Sequence, residues 1–117
     1  MDPVTVFHNP RCSKSRGALE LLRARGIEPV VVEYLKDPLD RAGLERILGA
    51  TGVAPAALVR NDGRFRELGL DRADCATREQ VVGVLLAHPE LMERPVVFVG
   101  ERAVIARPPE KVAELLD

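Results

Sequence analysis

Three observations predict an α/β fold whose elements run βαβ, then helices, then ββα. Two short runs rich in β-branched residues, 4–7 and 29–35, flank an apolar-periodic stretch over residues 17–25. Two further runs, Val96–Val99 and residues 102–106, are joined by Gly100-Glu101, the two-residue connection of a β-hairpin. Between these halves the apolar residues recur only at helical spacing, with no strand signal.

Residues 4–7 read as a short buried strand. The helix that follows is capped by Cys12 or Ser13, puts Ala18, Leu19, Leu21 and Leu22 inside, and stops at Gly26. The second strand, 29–35, completes a βαβ unit with a right-handed crossover. Lys36-Asp37-Pro38-Leu39 is a turn. Asp40 is an N-cap for a helix carrying Leu44, Ile47 and Leu48, ending at Gly49 or Gly52. Residues 55–59 form a short helical turn, Asn61-Asp62-Gly63 a loop, and residues 65–70 a compact, partly helical piece. Thr77 and Gln80 form a capping box before Val81, Val82, Val84, Leu85 and Leu86, and His88-Pro89 ends that helix. Leu91 and Met92 pack. After the hairpin, Pro109 suits the start of a last helix with Val112, Leu115 and Leu116 inside. This order is the thioredoxin-like architecture with a helical segment inserted in its middle. In that architecture the position of Pro95, just before the third strand, holds a cis proline, so Arg94-Pro95 is predicted cis although cis is the minority state.

At 117 residues the chain suits one domain with a real core. A net charge of −1 gives no global field for nucleic acid or anionic membrane, so anion binding must come from locally clustered arginines. Phe7, Tyr34, Phe65 and Phe98 are too few to make a stacking platform for single strands. No apolar run approaches the ~20 residues of a membrane span, and the N-terminus lacks the basic and apolar regions of a signal peptide. Two distant cysteines make neither a disulfide framework nor a metal site, and point to a reducing cytoplasm.

The chemistry centres on His8-Asn9-Pro10-Arg11-Cys12-Ser13-Lys14-Ser15-Arg16. Cys12 stands where loop becomes helix, facing free backbone N–H groups and the positive end of the helix dipole, which favour thiolate. Lys14 and Arg16 add positive charge, the Ser15 hydroxyl can donate to the sulfur, and the loop amides suit an anion. The competing reading is a small buried hydrophobe. Arg60, Arg94 and Arg107 lie at element boundaries, and guanidinium suits a tetrahedral oxyanion. His8 has an alternative reading as a hydrogen-bonded strand-end residue. His88 reads as a helix-end residue, and Cys75 as an incidental half-buried thiol rather than a resolving cysteine.

The run His8-Asn9-Pro10 with Cys12, Ser15 and Arg16 resembles the glutaredoxin/glutathione-linked arsenate reductase family. The likeness continues through Tyr34-Leu35, Glu67-Leu68-Gly69-Leu70, His88-Pro89, Arg94-Pro95-Val96-Val97 and Arg107-Pro108. It implies a single thioredoxin-like reductase domain over residues 1–117, with a helical insert at about 38–90. It implies Cys12 as nucleophile, assisted by His8. Arg60, Arg94 and Arg107 would bind the oxyanion, and Ser15 and Arg16 would belong to the anion loop. Arsenate is then the substrate, glutathione the co-substrate and glutaredoxin the partner, with no bound cofactor or metal, no nucleic acid and no membrane, and a monomer is expected. The chain is similar to a shorter branch lacking a C-terminal extension, and carries Arg11 and Lys14 where longer members have smaller residues. Ser15 in place of a second cysteine excludes a Cys-x-x-Cys disulfide. The alternatives are a redox or RNA polymerase-binding regulator of the same fold, and a monothiol thiol–disulfide oxidoreductase with another substrate.

Overall fold

The computed structural model describes residues 2–116. It divides into a sheet unit, contributed by the chain up to Asp37 and from Arg94 onward, and a helical unit, Pro38–Glu93.

In the sheet unit, β1 (Val4–His8), β2 (Val30–Glu33), β3 (Val96–Val99) and β4 (Arg102–Ile105) lie in the order β2-β1-β3-β4. β1 runs parallel to β2, with His8 opposite Glu33, and antiparallel to β3, with Phe7 opposite Val96. β4 returns antiparallel to β3, with Val96 opposite Ile105. Gly100 turns that hairpin at φ 61°, a left-handed conformation that a Cβ disfavours. The central strands are apolar almost throughout and are buried. Helix α1 (Ser13–Ala24) lays Ala18, Leu19 and Leu22 against Val4, Val6, Val97, Val99, Ala106 and Val112. Leu22 is completely buried, which is worth about 1.5–3 kcal/mol. Leu21, expected inside, is only partly buried at the margin of this cluster. The rings of Phe7 and Phe98 meet edge to face at 5.9 Å.

Two elements here differ from expectation. β2 has four residues rather than seven, because the Glu33 carbonyl accepts from the N–H groups of both Lys36 and Asp37 at 2.9 Å and turns the chain. At the sheet edge it leaves Val30 61% exposed. The last segment, Pro109–Leu115, is a 3₁₀ helix rather than an α-helix. Its i→i+3 bonding begins where the Lys111 N–H donates to the Pro108 carbonyl, and Val112 is its buried anchor. Arg94-Pro95 is cis as predicted, and Arg107-Pro108 is cis as well.

In the helical unit, α2 (Arg41–Thr51) starts where the Asp40 carboxylate accepts from the Gly43 N–H at 2.8 Å and ends at Gly52, φ 66°. It buries Leu44, Ile47 and Leu48. A 3₁₀ turn, Pro55–Leu58, leads to α3 (Gly63–Glu67). Asp62, expected in a loop, caps α3 by accepting from the Phe65 N–H. A second 3₁₀ turn, Arg72–Cys75, carries its own capping box from Asp71 and Asp74. α4 (Arg78–Ala87) has the expected Thr77–Gln80 box, buries Val81, Val82 and Leu85, and ends at His88. Pro89–Leu91 forms a last 3₁₀ turn, and Leu91 and Met92 are buried. A single β-bridge joins Val59 to Met92 in this unit. Among the described residues no helix is long and apolar enough to cross a membrane.

Candidate active site

β1 delivers the chain into the loop 9–12, and α1 takes it out. Cys12 is the N-cap of α1, with extended φ −93°, ψ 121°, and is partly buried. The Arg16 N–H donates to the Cys12 carbonyl at 3.0 Å as the first bond of the helix. Asn9 shapes the loop. Its side-chain Oδ1 accepts from the Arg11 N–H at 3.0 Å, its carbonyl accepts from the Cys12 N–H at 3.0 Å, and its N–H donates to Ser15 Oγ at 3.3 Å. Arg16 folds back so that Nη1 donates to the Pro10 carbonyl at 2.9 Å.

The opposite wall comes from the far end of the chain. The Ala106 N–H donates to the Pro95 carbonyl, which holds the loop before β3 beside the loop after β4. Arg107 Nη1 donates to Cys12 Sγ at 3.7 Å and to the Arg94 carbonyl at 2.9 Å. Partial burial acts to raise the Cys12 pKa, but the Ser15 and Lys14 backbone N–H groups, and then the Arg107 and Arg94 side chains, outweigh it and hold the thiol below its ordinary 9.0. The two amides make no close capping bond to the sulfur. They act as dipoles aimed at its charge. Ser15 acts on the sulfur through its amide, while its buried hydroxyl accepts from the Asn9 N–H.

His8 is buried at the end of β1. Burial holds its imidazole below 6.5, Glu33 opposes that, and Arg23 and Arg16 add to it. Nδ1 has no hydrogen-bond partner among the described residues, so at this nitrogen the hydrogen-bonded strand-end reading does not hold. Arg60 belongs to the helical unit, where Nε pairs with Asp62 and Nη1 with Glu93, each at 3.2 Å. Cys75 also lies in the helical unit. It is buried rather than half-buried, and burial, then Asp74 and Asp71, push its thiol up. Among the described residues no group of three or more His, Cys, Asp or Glu could hold a metal ion.

The sheet unit thus joins one thiolate-favouring cysteine, a helix N-terminus and two guanidinium groups, which suits nucleophilic attack on a small anion. The sequence pattern of the ArsC family matches residues 7–115. The chain belongs to the ArsC family. Arsenate reductase of Neisseria meningitidis serogroup A is 41% identical over 99% of this chain and 100% of that protein. Arsenate reductase of Rhizobium meliloti is 42% identical over 97% of this chain and 81% of that protein. The solved structure of an arsenate reductase from Vibrio cholerae matches with a TM-score of 0.89 at 35% identity, covering 98% of each chain. The thioredoxin-like α/β fold of this ArsC-family chain agrees with that structure. Asn9 is the loop residue that sequence reasoning left without a role. The signal for it was an Asn two positions before Arg11, the spacing of an Asx-turn.

Proposed function

We propose that this chain reduces arsenate to arsenite through a Cys12 thiolate adduct, with glutathione and glutaredoxin as electron donors. The observation that carries the reading is the Arg107 guanidinium on Cys12 Sγ, opposite the N-terminus of α1. Thiolate and oxyanion-binding donors then share one place. In the proposed reaction Cys12 Sγ attacks arsenic, an As–S bond forms, and an oxygen leaves as water or hydroxide. The guanidiniums of Arg94 and Arg107 offset charge that builds on the remaining oxygens. The thiolate of glutathione then attacks the Cys12 adduct. A sulfur–sulfur bond forms, the As–S bond breaks, and two electrons pass to arsenic, which departs as arsenite. Glutaredoxin resolves the mixed disulfide and returns Cys12 as a thiol. His8 assists the cysteine, and Ser15 and Arg16 shape the anion loop. Arg60 enters the reading through its place at an element boundary in the sequence and through the family resemblance. No bound cofactor is required, and a monomer in the reducing cytoplasm suffices.

The test is arsenate-dependent NADPH oxidation, coupled through glutathione, glutaredoxin and glutathione reductase. Wild type should turn over and Cys12→Ser should not. Absence of arsenate dependence in the wild type overturns the substrate assignment. Reduction of glutathionylated proteins instead would favour a thiol–disulfide oxidoreductase, and binding to RNA polymerase without turnover a regulator.

A further inference from the structure

Asn9 is buried between the end of β1 and the first turn of α1, and it bonds forward to Arg11 and Cys12 in the loop and to Ser15 in the helix. Its Oδ1 fixes Arg11, its carbonyl fixes Cys12, and its N–H reaches the buried Ser15 hydroxyl. The backbone bond to Cys12 exists only while the turn is closed, and Oδ1 closes it from the side-chain direction. Cys12 then enters the helix in the extended N-cap conformation, with Lys14 and Ser15 as the second and third helical residues. At an N-cap those are the two positions whose N–H groups face the capping side chain. We propose that Asn9 is a positioning residue for Cys12: its side-chain carbonyl holds the 9–12 turn that turns the sulfur toward the open amides of α1 and the Arg107 guanidinium. Asn9 touches neither the sulfur nor a substrate; it acts through the turn.

This inference rests on Cys12 being the nucleophile of the proposed reaction, yet its test needs no arsenate. The thiolate fraction of Cys12 is followed by ultraviolet absorbance against pH and by the rate of iodoacetamide alkylation, in a Cys75→Ala background. Asn9→Ala should raise the Cys12 pKa and slow alkylation below that pKa by about tenfold, the factor that one unit carries. Asn9→Ser keeps a short side-chain acceptor for the turn and should recover most of the rate. A purely structural role would lower the melting temperature in both variants without moving the titration. An unchanged titration in folded Asn9→Ala overturns the proposal. Should Asn9→Ala not fold, amide hydrogen exchange in the wild type decides: the Arg11 N–H should be protected, and exchange at the rate of an open loop overturns the proposal. Failure of arsenate turnover in the wild type would count against the substrate alone.

Discussion

Arg107 Nη1 lies 3.7 Å from Cys12 Sγ although 95 positions separate the two residues in the chain. The contact exists because β1 and β3 are neighbours in the sheet and β4 returns beside β3. The end of β1 therefore lies beside the start of β3 and the end of β4, so the loops carrying Cys12, Arg94 and Arg107 leave the sheet at one end of its strands. Arg107 also donates to the Arg94 carbonyl, so one guanidinium both faces the sulfur and ties down the loop before β3.

Arg107→Lys tests what the planar fork contributes. Lysine keeps the charge but presents it as a mobile point on a single nitrogen, without the planar fork that can hold an oxyanion by two parallel bonds. The Cys12 pKa should rise modestly, and kcat/KM for arsenate should fall by about 10²-fold, the scale of losing one preorganised oxyanion donor. Arg94→Lys should act in the same direction, since that side chain also favours the thiolate. Steady-state kinetics with a thiol titration checks both; unaltered values in either variant would remove that arginine from the site.

The lowered Cys12 pKa carries a signed consequence for stability. Folded protein holds the thiolate below 9.0, the unfolded chain does not. Between the folded pKa and 9.0 the unfolded state therefore binds more protons, so stability rises with pH in that window. The contribution is complete above 9.0 and is lost as pH falls through the folded value. Urea unfolding of wild type and Cys12→Ser across this range should show the wild type gaining on the variant as pH rises. Parallel profiles would mean that the fold does not favour the thiolate.

Much of this was legible because its causes are local. Asp40, the Thr77–Gln80 box and Gly100 act within three or four residues, and each does what its type dictates. The cysteine-centred loop and the two Arg-Pro pairs could be named as site candidates for the same reason. What stayed hidden depends on distant partners or on ambiguous chemistry. Asp62 serves equally as loop residue or N-cap, because both uses draw on the same short carboxylate reaching a nearby N–H. Arg60 could not be matched from sequence to Glu93, 33 positions away. That the Ser15 hydroxyl accepts from the Asn9 N–H depends on how the turn folds.

His8 offers a second titration of opposite chemical type. Burial keeps its imidazole below 6.5, so between the folded pKa and 6.5 the unfolded chain binds the proton more readily. Acid should therefore destabilise the protein progressively below 6.5. Glu33, its partner across β1 and β2, opposes but does not cancel this. His8→Gln removes the titration, and its stability should fall less steeply below 6.5 than that of the wild type. Denaturation midpoints at several pH values check this, and equal slopes would show that His8 is not the responsive group.

Cys75 has the contrary environment to Cys12, and the contrast yields the last prediction. It is 3% exposed and ends a 3₁₀ turn in the helical unit, where burial and then the carboxylates of Asp74 and Asp71 favour thiol over thiolate. Since the thiolate is the reactive form, alkylation at neutral pH should show one fast thiol and one slow one, with Cys12 the fast site by at least about tenfold. Cys75→Ala is the suitable variant, because serine would leave a buried hydroxyl in need of a partner. It should retain arsenate turnover in the glutathione-coupled assay, with a stability loss of about 1 kcal/mol for the small cavity left. Loss of turnover in folded Cys75→Ala, with the Cys12 titration intact, would instead make Cys75 a participant in returning Cys12 to its reduced state.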